Sequence, residues 1–161
     1  IVNYFAYPYE EEDEHFDINF WDVGGDVKMR RFAEFYFNNI EIAILVIDNT
    51  NHQTFDTVAY WIKLLKDKCP SVMIMLAVNK SDSDAAISED EISNFLISSE
   101  VPEIKYIRIS AKTGEGIDNL INTIGHACIA IRNKRKVQAL PIVEPEPNET
   151  IEVGGKCCTV F

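Results

Sequence analysis

Two short, unbroken apolar runs constrain this chain most: Ile42-Ala43-Ile44-Leu45-Val46-Ile47 and the stretch from Val72 to Val78. Both fall far below the roughly 18 to 20 residues that cross a bilayer, and neither alternates with polar residues. Such runs are expected of strands buried on both faces of a parallel sheet. Each stops at a polar cluster, the first at Asp48 and Asn49 to His52, the second at Asn79-Lys80-Ser81-Asp82. Elsewhere the period is helical. Phe55, Val58, Ala59, Ile62 and Leu65 form one apolar stripe closed by Lys66, Lys68 and Pro70. Ser88-Glu89-Asp90-Glu91 reads as a capping box for a helix through Ile92, Phe95 and Leu96. Ile104 to Ile109 predicts a third strand, left by the loop Ser110 to Gly114, and Ile117, Leu120, Ile121, Ile124, Cys128 and Ile131 mark a long amphipathic helix. Strands alternating with helices predict an α/β layer fold, whose ligands bind beyond the carboxyl ends of the strands.

Upstream, Ile1 to Tyr9 is rich in aromatic and β-branched residues, Glu10 to Glu14 form an acidic break, and Phe16 to Trp21 returns, which predicts a hairpin. The returning strand runs into Trp21-Asp22-Val23-Gly24-Gly25. Asp22, at the strand end, can lean toward Mg²⁺ or its waters, and Gly25 has no side chain to keep its N–H from a terminal phosphate. Alone, Asp-x-x-Gly is an ordinary strand-to-turn exit. Met29, Phe32, Ala33, Tyr36 and Phe37 then recur at helical spacing, predicting a helix after the glycines.

The 161 residues, 47% of them apolar, suffice for one core. A net charge of −11 repels a phosphate backbone and argues against nucleic acid as partner, leaving proteins or a small ligand. Cys69, Cys128, Cys157 and Cys158 have neither metal-ligand spacing nor a disulfide framework. No secretory segment opens the sequence, so a cytosolic chain is expected, with any membrane attachment added covalently.

Asn79-Lys80-x-Asp82 makes chemical sense as a purine reader. A carboxylate accepts from the N1–H and 2-amino group of guanine, where adenine has no matching pair, and the Asn amide serves the opposite edge. Lys80 can lay its stem along the base, and the Ala111 N–H can donate to O6. Hydrogen bonds to a charged group contribute roughly 1.5–3 kcal/mol each, and an unpaired buried carboxylate rejects the wrong ligand by about 10⁴ or more. Asp22, Asn79 and Ser110 each follow a separate apolar strand, 57 and 31 residues apart.

Trp21-Asp22-Val23-Gly24-Gly25, Asn79-Lys80-Ser81-Asp82 and Ser110-Ala111-Lys112-Thr113-Gly114-Glu115-Gly116 resemble the switch II, base-specificity and base-loop motifs of Ras-superfamily small GTPases. The resemblance covers about Phe16 to Arg132. The last motif and the chain ending look most like the Rab branch, whereas Asp-Val-Gly-Gly is spelled as in the Arf branch. The resemblance implies a three-layer, P-loop NTPase-like G domain over residues 1–132, with a mostly parallel sheet and helices on both faces. It implies GTP and GDP as ligands with Mg²⁺ near Asp22, the Gly25 N–H on the γ-phosphate, and Asn79, Lys80, Asp82, Ser110, Ala111 and Lys112 around guanine. A monomer is implied, meeting exchange factors, GTPase-activating proteins and effectors at the Gly25–Phe37 region.

Two departures stand out. Asp26 occupies the position where the family has a Gln that positions the attacking water. A carboxylate about 4 Å from a phosphate oxygen meets on the order of 4 kcal/mol of repulsion at an effective dielectric near 20, so slow intrinsic hydrolysis is expected. Also, no Gly-x-x-x-x-Gly-Lys-[Ser/Thr] phosphate loop occurs. In the family that loop follows a first strand lying between those that correspond here to Phe16–Trp21 and Ile42–Ile47. The expectation is an amino-terminal truncation, or else that these two strands close on each other.

Residues 133–161 read as a disordered tail, basic from Arg132 to Lys136, then rich in Pro and Glu. Cys157-Cys158-Thr159-Val160-Phe161 fits a C-a-a-X ending at Cys158 that favours geranylgeranyl, and Cys157 can take a second prenyl group. Two chains anchor stably where one does not. The leading expectation is a Rab-like GTP/GDP switch in vesicle traffic on the cytoplasmic face of intracellular membranes, exchanging with cytosol. Its rival is a nucleotide-incompetent, membrane-tethered interaction module.

Overall fold

The computed structural model describes residues 2–11, 14–25, 33–37, 40–98 and 103–138. In chain order the elements are β1 (Val2–Glu11), β2 (Glu14–Val23), a 3-10 turn (Glu34–Tyr36), β3 (Ile42–Asp48), α1 (His52–Asp56), α2 (Val58–Lys68), β4 (Met73–Asn79), α3 (Glu89–Ser98), β5 (Lys105–Arg108) and α4 (Ile117–Gln138). The two apolar runs became β3 and β4 within a residue of their expected limits, and they pair in parallel from Ile42 opposite Met73 to Asp48 opposite Asn79. β5 joins the other edge of β4, also in parallel.

Helices cover both faces of this sheet, as expected. Because side chains alternate along a strand, Ala43, Leu45 and Ile47 with Ile74, Leu76 and Val78 face one side. There they pack on Val58, Trp61, Ile62 and Leu65 of α2 and Ile92 and Leu96 of α3. Ile42 and Ile44 with Met75 and Ala77 face the other, against Leu120, Ile124, Ala127 and Cys128 of α4. Burying a side chain of this size contributes about 1.5–3 kcal/mol.

The sheet is not continuous. β1 and β2 form a separate antiparallel hairpin, and β3 is an edge strand of the three-stranded sheet. Among the described residues β2 and β3 therefore do not close on each other, although both feed the same cores: Val23 lies with Leu45 and Ile47, and Ile18 and Phe20 lie with Ile42 and Ile44. The hairpin is held through α4 instead. The Tyr9 ring abuts Gly125, where an added Cβ would overlap the hydroxyl-bearing end of the ring. Arg132 donates to Glu14 at 2.8 Å and stacks its guanidinium 5.0 Å from the Phe16 ring centre. Arg135 donates to the buried Glu41, just before β3.

Two other expectations need correction. Of the acidic break, Glu10, Glu11 and Glu14 belong to the hairpin ladder, which runs to Glu11 opposite Glu14, and Arg132 pairs with Glu14. The stripe from Phe55 to Leu65 is two helices that meet at Thr57, whose Oγ1 donates to Thr54 O at 2.8 Å. Its Ala59 is exposed and Trp61 is buried in its place. Of the helix expected over Met29–Phe37, residues 29–32 lie outside the described residues; Ala33 is helical, Glu34–Tyr36 form the 3-10 turn, and Ala33 and Phe37 are buried.

Candidate functional site

The carboxyl ends of β3, β4 and β5 converge on one cluster of polar loops. Asn79 ends β4, and its Oδ1 accepts both the Lys80 N–H at 2.8 Å and the Ala111 N–H at 3.0 Å. One side-chain oxygen thus ties the loop after β4 to the loop after β5. Asp82 adds a second tie: Ser110 Oγ donates to its Oδ1 at 2.7 Å, and Lys112 Nζ sits 3.3 Å from its Oδ2. The Ser110 hydroxyl and Lys112 ammonium both favour the anion, and they hold the Asp82 carboxyl below its ordinary range.

The Ser110–Gly116 loop is tight. Ser110 is fully buried, its N–H donates to Glu115 O, its hydroxyl accepts from Thr113 N–H, and Gly114 N–H returns to Ser110 O. Gly116 has φ +73, and a Cβ there would meet Arg108 O at 2.3 Å, so only glycine fits. The Gly116 O in turn accepts from Leu120 in the first turn of α4.

Lys80 occupies the left-handed region at φ 65, which costs a side-chain-bearing residue on the order of 1–2 kcal/mol. Its ammonium is pinned 2.6 Å from Asp48 Oδ2 at the end of β3. Asp48 Oδ1 also accepts from both Thr50 N–H and Thr50 Oγ1. Together the Lys80 and Thr50 donors take the Asp48 carboxyl from an ordinary 3.8 down to about 2. Beneath lies the buried Asn49, which joins all three strands. Its N–H donates to Asn79 O, its carbonyl accepts from Ala86 N–H, and its Oδ1 accepts from Arg108 Nη1 at 3.1 Å.

The structure therefore brings Asn79, Lys80, Asp82, Ser110, Ala111 and Lys112 together. Asp22 and Gly25 belong to the hairpin side. Asp22 lies within β2 rather than at its end, and its Oδ2 accepts from Asn3 Nδ2 at 3.1 Å. Gly25 is exposed and opens on a cavity of about 350 Å³ lined by Leu45, Val46, Ile47, Asn51 and Thr54. Asp26, Cys157 and Cys158 lie outside the described residues. Among the described residues no three His, Cys, Asp or Glu side chains gather into a metal cage. Asp22 alone supplies one carboxylate, which suits Mg²⁺ only where phosphate and water complete the octahedron.

Sequence reasoning missed Asp48, Asn49 and Arg108 as members of this cluster. Asp48 carried a signal, since it ends an apolar run just as Asn79 does. It also missed the tilted pair of Trp21 and Tyr36, ring centres 5.6 Å apart, beside the projecting Phe35.

A parallel sheet with helices on both faces and its polar loops gathered at the strand ends defines an α/β domain of the P-loop GTPase-like class. Residues 9–128 match the model of the ADP-ribosylation factor family. The chain is 32% identical over 108 residues to the Ras-related protein Rab-5B of Plasmodium falciparum (isolate 3D7), covering 66% of this chain and 51% of that one. It is 33% identical over 122 residues to the Ras-related protein Rab11C of Lotus japonicus, covering 74% and 55%. With the Ras-related protein RIC2 of Oryza sativa subsp. japonica the figures are 31% over 122 residues, 74% and 55%. The chain belongs to the Ras superfamily of small GTPases and is Rab-like, with an Arf-like streak that its Asp-Val-Gly-Gly spelling already carried. It spans about half the length of the curated relatives it matches.

Proposed function

We propose that the chain is a guanine-nucleotide switch that works in vesicle traffic. The observation that carries this reading is the double tie Asn79–Ala111 and Asp82–Ser110. It sets a carboxylate, an amide and a backbone N–H side by side at the strand ends, the set that distinguishes guanine from adenine. Asp82, held ionised, accepts from N1–H and the 2-amino group. The Ala111 N–H, now donating to Asn79, exchanges that partner for O6, and Lys112 screens the carboxylate. Lys80 reaches a ligand only by releasing Asp48. Asp22 and the Gly25 N–H serve Mg²⁺ and the terminal phosphate, the ion supplying charge neutralisation there.

Calorimetry with GDP and ADP on the wild-type chain and on Asp82→Ala tests this. The expected result is a preference for GDP that Asp82→Ala abolishes. Equal binding of the two nucleotides, or none, overturns the reading.

The same proposal includes slow hydrolysis, since in the resemblance Asp26 takes the sequence position of the Gln that organises attack on the phosphate. Asp26→Gln is expected to speed single-turnover GTP cleavage by at least tenfold, about 1.4 kcal/mol. Exchange factors, GTPase-activating proteins and effectors are proposed to meet the face of Trp21, Phe35 and Tyr36. No helix among the described residues is long and apolar enough to cross a membrane, and attachment is proposed through prenylated Cys157 and Cys158. A Cys157→Ser, Cys158→Ser chain is expected to move from the membrane fraction to the soluble one.

A further inference from the structure

At the end of the sheet away from these loops, a groove of about 780 Å³ opens between the start of β4, the start of β5 and the middle of α4. That volume is in the range that takes a drug-sized molecule. Its floor is apolar: Val72, Met73, Met75 and Ile104, with Ala127 of α4 as one wall. Met73 departs from its strand here. Ile74 through Val78 are buried, whereas Met73, which lines the groove, leaves 37% of its surface in water. Methionine adapts its shape to a ligand and gives its sulfur to aromatic rings, which suits a binding floor.

The rim supplies the polar half of the recognition. Lys66 and Glu103 pair across it at 3.7 Å and neutralise each other. Lys105, the first residue of β5, also lines the groove, and among the described residues it makes no ion pair. In a chain of net charge −11 this is a local surplus of positive charge over an apolar floor.

We propose that this groove is a binding site for a small aromatic carboxylate, its ring on Met73 and Met75 and its carboxylate on Lys105. The site is separate from the loops at the other end of β4, so it does not depend on nucleotide binding.

The chain has three methionines, Met29, Met73 and Met75, so labelling their methyl groups with carbon-13 gives the two that line the groove their own reporters. The expected result on adding 2-naphthoate is a saturable shift of the Met73 and Met75 signals. The charge-inverted probe 2-naphthylmethylammonium should bind more weakly. Lys105→Glu and Lys105→Met, both at an exposed position, should each weaken naphthoate about fivefold, the size of one exposed charge contact. Equal binding of the two probes, no shift at Met73, or naphthoate affinity unchanged in both variants overturns the proposal.

Discussion

The side-chain oxygen of Asn79 accepts the backbone N–H of Ala111 at 3.0 Å, across 32 residues of sequence. The same oxygen holds the Lys80 N–H, so the left-handed turn of Lys80 and the loop that follows β5 share one acceptor atom. Both donors are near water, which limits the loss when the acceptor is removed. Asn79→Ala is expected to lower unfolding free energy by about 1 kcal/mol in urea titrations and to speed hydrogen exchange at the Ala111 amide. Asn79→Asp retains an acceptor and should lose less on both measures.

Gly125 in the interior of α4 gives up roughly 1 kcal/mol of helix propensity relative to alanine. The Tyr9 ring explains it, because a Cβ would overlap the ring. Gly125→Ala should cost about 1–3 kcal/mol by forcing the ring aside. In a Tyr9→Ala background the same change should cost nothing or stabilise slightly. A double-mutant cycle reads the difference, and additivity of the two changes would mean that the ring does not occupy that space.

Much of the fold was legible because it is local. Ile42–Ile47 and Val72–Val78 have no polar residue to offer water, so they were expected as strands covered on both faces, and side chains of β3 and β4 pack into a core on each side of the sheet. Ser88 and Glu91 form the reciprocal cap their spacing implied, with Glu91 Oε2 accepting from Ser88 N–H at 2.9 Å and Ser88 Oγ accepting from Glu91 N–H at 3.2 Å. The grouping of Asn79, Asp82, Ser110 and Ala111 followed from strand ends alone. The long-range partners could not be read. Nothing in the pattern of α4 tells that Arg132 meets Glu14, 118 residues away, or that Lys80 turns its ammonium to Asp48. The gap between hairpin and sheet could not be read from apolar faces, which set which side of a strand is buried and not which edge is paired; it falls where the resemblance puts a first strand, between Phe16–Trp21 and Ile42–Ile47.

Glu41 is almost wholly enclosed before β3, and its burial raises its carboxyl above the usual range even though Arg135 and Arg132 pull it down. Arg135→Ala removes the hydrogen-bonding partner and leaves a buried anion. The expected loss is about 2 kcal/mol at pH 7, reduced from the full cost of breaking a buried pair because Arg132 remains nearby. A raised carboxyl pKa gives stability that is present at low pH and lost as pH rises through the folded-state value. The variant should therefore recover toward wild type at a lower, mildly acidic pH, as Glu41 takes up a proton. Urea midpoints at the two pH values measure this, and Arg135→Ala with Glu41→Gln should be insensitive over the same interval.

Asp48 works in the opposite direction. Its carboxyl falls from an ordinary 3.8 to about 2 because Lys80 and Thr50 donate to it, so it contributes stability that is fully present above pH 4 and lost as pH falls through about 2. The Lys80 ammonium is half in water, which screens the pair and reduces the linked stability to about 1 kcal/mol. Asp48→Asn should cost that much at pH 7, and its cost relative to wild type should shrink between pH 4 and pH 2, where the wild type alone loses the Asp48 contribution while Asp82 and Glu91 act in both chains. The same substitution releases Lys80. If the lysine stem is to lie along a purine, Asp48→Asn should also tighten GDP binding while it weakens the fold, and calorimetry beside urea titration separates those two effects.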